Sequence, residues 1–167
     1  TRRMREIIDL RRARGDLLRD LVKNAPHVRV QKLLEGCRHT YWQFGMRVEN
    51  DAPFTADEFA EALRAEGVSS GAHYIGNPIF LCHAALRNQR LFGDSRYPFD
   101  HPNAREGITY DENTTPRTQM VLDHLVQPMC PTQFMSEEDI EDIGAAIVKV
   151  SNGLGNHCQA KEIVPPR

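Results

Sequence analysis

The chain has 167 residues, enough for one compact domain to bury a hydrophobic core without disulfides or a metal. Its 21 basic and 23 acidic side chains leave a formal charge of -2, so we expect neither a nucleic-acid nor a membrane partner. There is no signal-peptide pattern and no apolar run of about 18 residues, and the four cysteines are scattered like reduced thiols. We therefore expect a cytoplasmic protein.

The N-terminal third predicts a long helix followed by short strands. Apolar residues recur at spacings of three and four over residues 2–24, and Pro26 should end that helix. Residues 28–30 read as a short extended piece. Over residues 40–48, Trp42, Phe44, Met46 and Val48 alternate with period two, which predicts a strand with one buried face.

The middle of the chain predicts a helix and then a long loop. Thr55 and Glu58 form a capping-box pattern that should start a helix, and Gly67 should end it. Residues 68–75 read as weakly extended, and residues 78–90 as a helix that opens with a proline. Residues 91–113 are rich in turn formers, and a loop of that length usually has a function or a partner.

The C-terminal part predicts two helices around a short strand. The sequence predicts one helix over residues 115–125 and another that begins at Ser136. Between them, residues 126–130 are apolar enough for a buried strand. We expect Gly153 to end the last helix, so that residues 1–153 form the domain and residues 154–167 a flexible tail. The predicted fold class is α+β, with a small antiparallel or mixed sheet packed against several helices.

Patterns for metal binding or covalent catalysis are lacking. The seven histidines and four cysteines never take the spacing of a zinc finger, a zinc ribbon or an HExxH helix, so no metal site is predicted. There is no nucleophile elbow or catalytic-cysteine signature, and the glycines at 67 and 71 are better explained by a helix end and a turn. We therefore assign no catalytic residue in this chain.

The segment 71–80 is the best candidate for a binding site. His73 and Tyr74 are followed by Gly76, Asn77 and Pro78, which places polar and aromatic groups on irregular backbone. We predict His73, Tyr74 and Asn77 as substrate-binding residues. The competing interpretation, that Tyr74 closes the core and Asn77 caps the next helix, has equal support from composition.

The order of several motifs resembles the DegT/DnrJ/StrS family of sugar aminotransferases, which have the fold-type-I architecture. Each motif is weak alone, but their common order extends over residues 2–150. The matching segments are residues 11–18, the stretch His39-Thr40-Tyr41-Trp42, residues 59–68, the pair His73-Tyr74 with Pro78-Ile79, and residues 128–140.

The resemblance implies that this chain is the C-terminal small domain of a pyridoxal-phosphate (PLP) enzyme. In that family an amino group passes from glutamate or glutamine to a keto group of a nucleotide-linked sugar or a cyclitol. The lysine that holds PLP belongs to a large domain of the same polypeptide, so none of Lys23, Lys32, Lys149 and Lys161 takes that role, and the chain should bind no cofactor alone. The chain departs from the pattern at Ile79-Phe80, where relatives often have a polar residue, which bears on the sugar contacts.

The resemblance also implies a full-length homodimer, with the His73-Tyr74 loop facing the substrate cleft and residues 91–113 covering the substrate or meeting a second subunit. The helical pattern that begins at Thr1 fits a piece of a longer polypeptide. Two alternatives remain open. One is a PLP-dependent sugar dehydratase of the same family, and the other is a non-catalytic binding or regulatory module that uses the same fold.

Overall fold

The computed structural model describes the backbone of residues 2–162 and the side chains of residues 3–156. The described chain divides into two compact units. The first contains the residues up to 74 and those from 124 onward, and the second contains residues 75–123.

A four-stranded antiparallel sheet lies at the centre of the first unit. Its strands are β1 (Val28–Val30), β2 (Met46–Val48), β3 (Ser70–Ala72) and β4 (Leu125–Pro128), in the order β1-β2-β4-β3. Val28 pairs with Val48, Met46 pairs with Val126, and Ala72 also pairs with Val126 on its other side. The sheet and its helices confirm the α+β prediction.

Three helices complete this unit: α1 (Arg2–Val22), α2 (Ala56–Ala65) and α6 (Glu137–Glu162). Helix α1 packs along α6, and α2 packs on β3, β4 and α6. Their apolar faces meet the sheet in one core, whose most completely buried side chains are Leu18, Tyr41, Phe59, Leu63, Val126, Ile140 and Ile147. Burial of these side chains is the main stabilising contribution.

Side-chain caps start helices α2 and α6 at the residues that the sequence predicted. The Thr55 hydroxyl accepts a hydrogen bond from the Glu58 backbone N–H at 3.2 Å, and the Glu58 carboxylate accepts one from the Thr55 N–H at 2.7 Å. Ser136 and Asp139 make the same reciprocal pair before α6. Gly67 follows α2 with φ +87, the left-handed conformation typical of a glycine that ends a helix, as the sequence predicted.

Helix α6 does not end at Gly153, so that prediction was wrong. The helix continues to Glu162, and an added Cβ at Gly153 would meet nothing within 4 Å. Gly153 is tolerated inside the helix because a single glycine costs only about 1 kcal/mol there. The predicted flexible tail extends to residue 167, and residues 163–167 lie outside the described part of the chain.

The predicted strand over residues 40–48 is also wrong in its first half. Only Met46–Val48 is a strand, and Trp42 is 71% exposed. The alternation breaks at Tyr41, which has φ +50 and is fully buried against α1. Its hydroxyl donates to the Asp16 carboxylate at 2.5 Å, and burial, followed by this hydrogen bond, raises the pKa of Tyr41 well above its usual value.

Helix α1 contacts the chain around Tyr41 through arginines. Arg11 donates to the Tyr41 carbonyl at 2.8 Å, and Arg12 donates to the His39 carbonyl at 3.3 Å. The Cys130 thiol donates to the Tyr41 carbonyl at 2.7 Å, and burial raises its pKa although Arg11 opposes this shift. Tertiary contacts with α1 and residue 130 therefore outweigh the strand propensity of this segment.

The second unit contains α3 (Ile79–Cys82), α4 (Ala84–Arg87) and α5 (Pro116–His124), whose last residue belongs to the first unit. Residues 78–90 were predicted as one helix. The structure instead breaks it at His83, which is extended, and places Pro78 at the N-cap of α3. Residues 91–113 form the predicted loop. Among the described residues, no helix has both the length and the apolar composition to cross a membrane.

Candidate functional site

His73 and Tyr74 form a left-handed turn where β3 ends. The His73 backbone N–H still donates to the Leu125 carbonyl at 2.8 Å, which continues the ladder with β4 by one residue. The chain then turns through φ +64 at His73 and φ +53 at Tyr74. Two consecutive non-glycine residues in this conformation are costly, and such strain concentrates at functional sites.

Asp57 at the start of α2 holds the His73 side chain. His73 Nε2 lies 2.8 Å from Asp57 Oδ2, and the His73 side chain is 35% exposed. The ring is therefore accessible to a ligand while it remains fixed to the fold. Asp57 was not predicted from the sequence, because 16 residues separate it from His73 and only the packing of α2 on β3 brings the two together. The one sequence signal was its position in the predicted first turn of α2.

The competing interpretation that Tyr74 closes the core is wrong, since its side chain is 54% exposed. Asn77, in the second unit, is also exposed and is not the cap of α3, because Pro78 occupies that position. The Asn77 carbonyl accepts a hydrogen bond from the Cys82 thiol at 3.6 Å. His73 and Tyr74 thus share one turn of the first unit, and Asn77 belongs to the second.

The second unit has a cavity of its own within the long loop. Its volume is about 760 Å³, within the range of pockets that bind small molecules. Phe99, His101 and Tyr110 contribute aromatic surface. The positive charges of Arg96 and Arg105 are offset by the carboxylates of Asp100 and Glu106. Gln89 and the turn at residue 108 brace it, since the Gln89 amide donates to the Ile108 carbonyl at 2.6 Å. The loop was predicted from the sequence, and the cavity was not.

Metal chemistry finds no support in the described side chains. Among the residues that the structure describes, no three histidine, cysteine or acidic side chains converge so as to hold a metal ion. The three cysteines with described side chains, Cys37, Cys82 and Cys130, are free thiols.

With the geometry known, the chain can be compared with known proteins. No family model and no curated protein matches its sequence. Solved structures do match. The aminotransferase TlmJ from Streptoalloteichus hindustanus is 16% identical with a TM-score of 0.61, over 92% of this chain and 34% of its own. A DegT DnrJ EryC1 StrS aminotransferase from Brucella abortus is 20% identical with a TM-score of 0.55. The match covers 90% of this chain and 31% of the aminotransferase.

A third match carries a different activity in its name. The GDP-4-keto-6-deoxy-D-mannose-3-dehydratase from E coli is 15% identical with a TM-score of 0.60, over 84% of this chain and 30% of its own. The chain has the small-domain fold of the DegT/DnrJ/StrS-type enzymes. It spans about a third of the length of the structures that it matches. The resemblance noticed in the sequence is thereby confirmed at the level of the fold.

The three lysines with described side chains do not fit the PLP cofactor that the fold family implies. Lys23 pairs with Asp20 at 3.3 Å and Lys149 pairs with Glu66 at 2.6 Å, and both lysine side chains are more than half exposed. Lys32 is also exposed. Lys161 lies among the residues whose side chains are not described. We therefore derive no step of cofactor chemistry from these side chains.

Proposed function

We propose that this chain is the small domain of a PLP-dependent aminotransferase that transfers an amino group from glutamate or glutamine to a keto group of a nucleotide-linked sugar or a cyclitol. The observation that carries the proposal is the fold match, which extends over 84–92% of this chain and about a third of each enzyme. A large domain of the same polypeptide would hold PLP and its lysine, and the full-length protein would be a cytoplasmic homodimer.

An apolar stripe on α1 supports a larger polypeptide. Met4 is 64% exposed, and Ile7 and Leu10 are 38% and 39% exposed, all on the first half of the helix. Further along the helix, Leu18 and Val22 are buried and Leu21 is 39% exposed. The first half of this amphipathic helix, the open half, therefore leaves its apolar stripe exposed, whereas the second half buries Leu18 and Val22, as expected if the open half packs against another domain.

The turn at residues 73–74 would contribute to substrate recognition. The His73 side chain is 35% exposed at this turn, and the half-exposed Tyr74 ring offers an apolar face and a phenol. Asn77, in the second unit, would contribute its side-chain amide to substrate binding. In the second unit, two arginines and two carboxylates line the 760 Å³ cavity and offer donors and acceptors for a polar ligand, so residues 91–113 are proposed to cover the substrate.

The proposal is tested with the full-length polypeptide. We expect the purified protein to carry the visible absorbance of bound PLP and to form 2-oxoglutarate from glutamate in step with an amino sugar. The dehydratase among the structural matches supports a second candidate, which predicts loss of water from the keto-sugar without net amino transfer. A protein that binds no PLP would refute both candidates and favour the binding module.

Sedimentation of the 167-residue chain alone tests the binding module directly. A small domain separated from its partner domain should self-associate through the open half of α1. Replacement of Ile7 and Leu10 by aspartate should then restore a monomer, and a charge change at the exposed Glu6 should not. A monomeric wild-type chain would support the free-standing module instead.

A further inference from the structure

Two aromatic side chains of the first unit, Trp42 and Phe134, are strongly exposed. Trp42 is 71% exposed and Phe134 is 87% exposed. The core uses their neighbours instead, because Tyr41 is buried in it and Met135 packs against it. Exposed apolar side chains that occur singly are common on protein surfaces, whereas a continuous apolar surface marks an interface. The decisive question is therefore whether the two rings belong to one surface.

Two arginines of α1 bring the segments that carry these rings to the same part of the helix. Arg11 donates to the backbone carbonyl that precedes Trp42, at 2.8 Å. Arg14 donates to the backbone carbonyl that follows Phe134, at 3.0 Å. Three residues of helix correspond to a rise of about 4.5 Å, so the two segments meet α1 within one helical turn of each other.

The open half of α1 continues this surface. Residues three and four apart lie on one face of a helix, so Ile7 and Leu10 belong to the face that carries Arg11 and Arg14. Both of these apolar side chains are exposed. We call the combined surface the apolar face, and its members are Ile7, Leu10, Trp42 and Phe134.

Local contacts hold the two loops of the apolar face in place. The Cys130 thiol lies 3.1 Å from the Trp42 carbonyl oxygen, and the next residue, Pro131, is fully buried. The Arg14 side chain is only 18% exposed and also pairs with Glu137 at 2.7 Å. A surface that is ordered before its partner arrives loses less conformational entropy on binding, so the apolar face is suited to a stable contact.

The occupant of the apolar face is argued from the size of the related enzymes and from charge. The fold match extends over only about a third of each enzyme, so most of such a polypeptide lies outside this chain. A domain joined to the N-terminal end of α1 would be held beside the apolar face at a high effective concentration. The exposed Arg3 and Arg5 on the same half of the helix favour a partner surface with carboxylates at its rim.

We propose that the apolar face is the docking surface for the large domain of the same polypeptide, with Trp42 and Phe134 as its aromatic anchors. The inference rests on the proposed function for the existence of the large domain. It extends the interface from α1 to the loops around residues 42 and 134, which α1 gathers through Arg11 and Arg14.

Fluorine nuclear magnetic resonance of the full-length protein with 5-fluorotryptophan measures the solvent access of Trp42, the single tryptophan of this chain. Trp42→Phe identifies the signal by its disappearance. We expect this signal to change little between H2O and D2O and to be broadened little by a soluble nitroxide. The double variant Ile7→Asp with Leu10→Asp should restore both effects. Leu34→Ala removes an exposed apolar side chain outside the apolar face and should leave the signal protected.

Hydrogen exchange of the same full-length variants measures the strength of docking. Loss of a buried tryptophan anchor should raise the undocked fraction, so we expect Trp42→Ala to lower the protection of the α1 amides at residues 5–10 by about 30-fold. Trp42→Phe should stay within about 3-fold of the wild type, because it keeps an aromatic anchor, and Leu34→Ala should match the wild type. Unchanged protection of the α6 amides shows that the small domain itself stays folded.

The possible outcomes separate the inference from the proposed function. A full-length protein that binds PLP but leaves Trp42 open to solvent, or whose α1 protection is unchanged by Trp42→Ala, would overturn the inference alone. Protection of Trp42 that is lost when dilution dissociates the protein, as followed by sedimentation, would also overturn it and assign the apolar face to a second copy. A protein that protects Trp42 as a monomer but has no visible absorbance of PLP would support the docking surface and overturn the proposed function.

Discussion

Gly15 on α1 leaves the space into which the Tyr41 ring packs. A Cβ at position 15 would lie 2.2 Å from Cγ and Cδ2 of Tyr41 and 2.6 Å from Cε2. Favourable carbon–carbon contacts begin near about 3.5 Å, so Gly15→Ala would overlap a rigid aromatic ring by more than about 1 Å. The ring has little room to retreat, because Tyr41 is fully buried and its hydroxyl is bound to Asp16.

The expected net effect of Gly15→Ala is a loss of about 2 kcal/mol or more in the free energy of unfolding. Overpacking of this severity costs about 3 kcal/mol, and the better helix propensity of alanine returns about 1 kcal/mol. Gly153→Ala is the matched control on α6, where nothing lies within 4 Å, and it should stabilise the protein by about 0.5–1 kcal/mol.

Urea unfolding followed by circular dichroism measures both glycine variants. The test is sharpened by repeating Gly15→Ala in a Tyr41→Ala background, where the ring is absent and the added methyl group should cost nothing or stabilise the helix. If Gly15→Ala were as stable as the wild type, or equally damaging without the Tyr41 ring, the proposed packing of Tyr41 against α1 would be refuted.

Three further predictions concern capping and pH. Thr55→Ala should lower the free energy of unfolding by about 1 kcal/mol, measured in urea, and an unchanged value would contradict the capping box that Thr55 forms with Glu58. Hydrogen bonds from the Ser136 N–H and hydroxyl lower the pKa of Asp139 below its ordinary 3.8. The ionised Asp139 carboxylate therefore stabilises the fold above pH 3.8, and this stabilisation is lost as pH falls through the lower pKa of the folded state. Thermal unfolding of Asp139→Asn should therefore vary less between pH 5 and 2 than that of the wild type, and equal slopes would count against the cap. Burial raises the pKa of Tyr41 above its ordinary 10.0. The protonated Tyr41 therefore stabilises the fold fully below pH 10, and this stabilisation is lost as pH rises further. The thermal unfolding temperature of Tyr41→Phe should accordingly fall less above pH 10 than that of the wild type.

Local chemistry determined where most elements of this protein begin. The caps at Thr55 and Ser136 use side chains three residues apart, so they can be identified from the sequence without knowledge of the tertiary structure. Apolar periodicity likewise located α1 and the short strand at residues 28–30. The motif order led to the fold, which the structure confirms.

The local rules failed where distant residues decide the conformation. The alternating pattern at residues 40–48 would bury Trp42. Instead, Tyr41 is buried against α1 and Trp42 is exposed. Gly153 looked like a helix end because glycine often occupies that position, yet α6 continues through it. In both cases contacts between residues far apart in sequence, or continued helix packing, outweigh a propensity worth about 1 kcal/mol.

The candidate site was likewise predicted only in part from the sequence. The sequence alone identified the residue types of the turn, His73 and Tyr74, because a polar and aromatic pair before Gly76 and Pro78 suits an irregular surface segment. Only the tertiary structure paired His73 with Asp57, since that contact requires α2 to lie against β3. Short-range hydrogen bonds and periodicity depend on neighbours in the chain, whereas the orientation of a side chain at a site depends on which elements the core brings together.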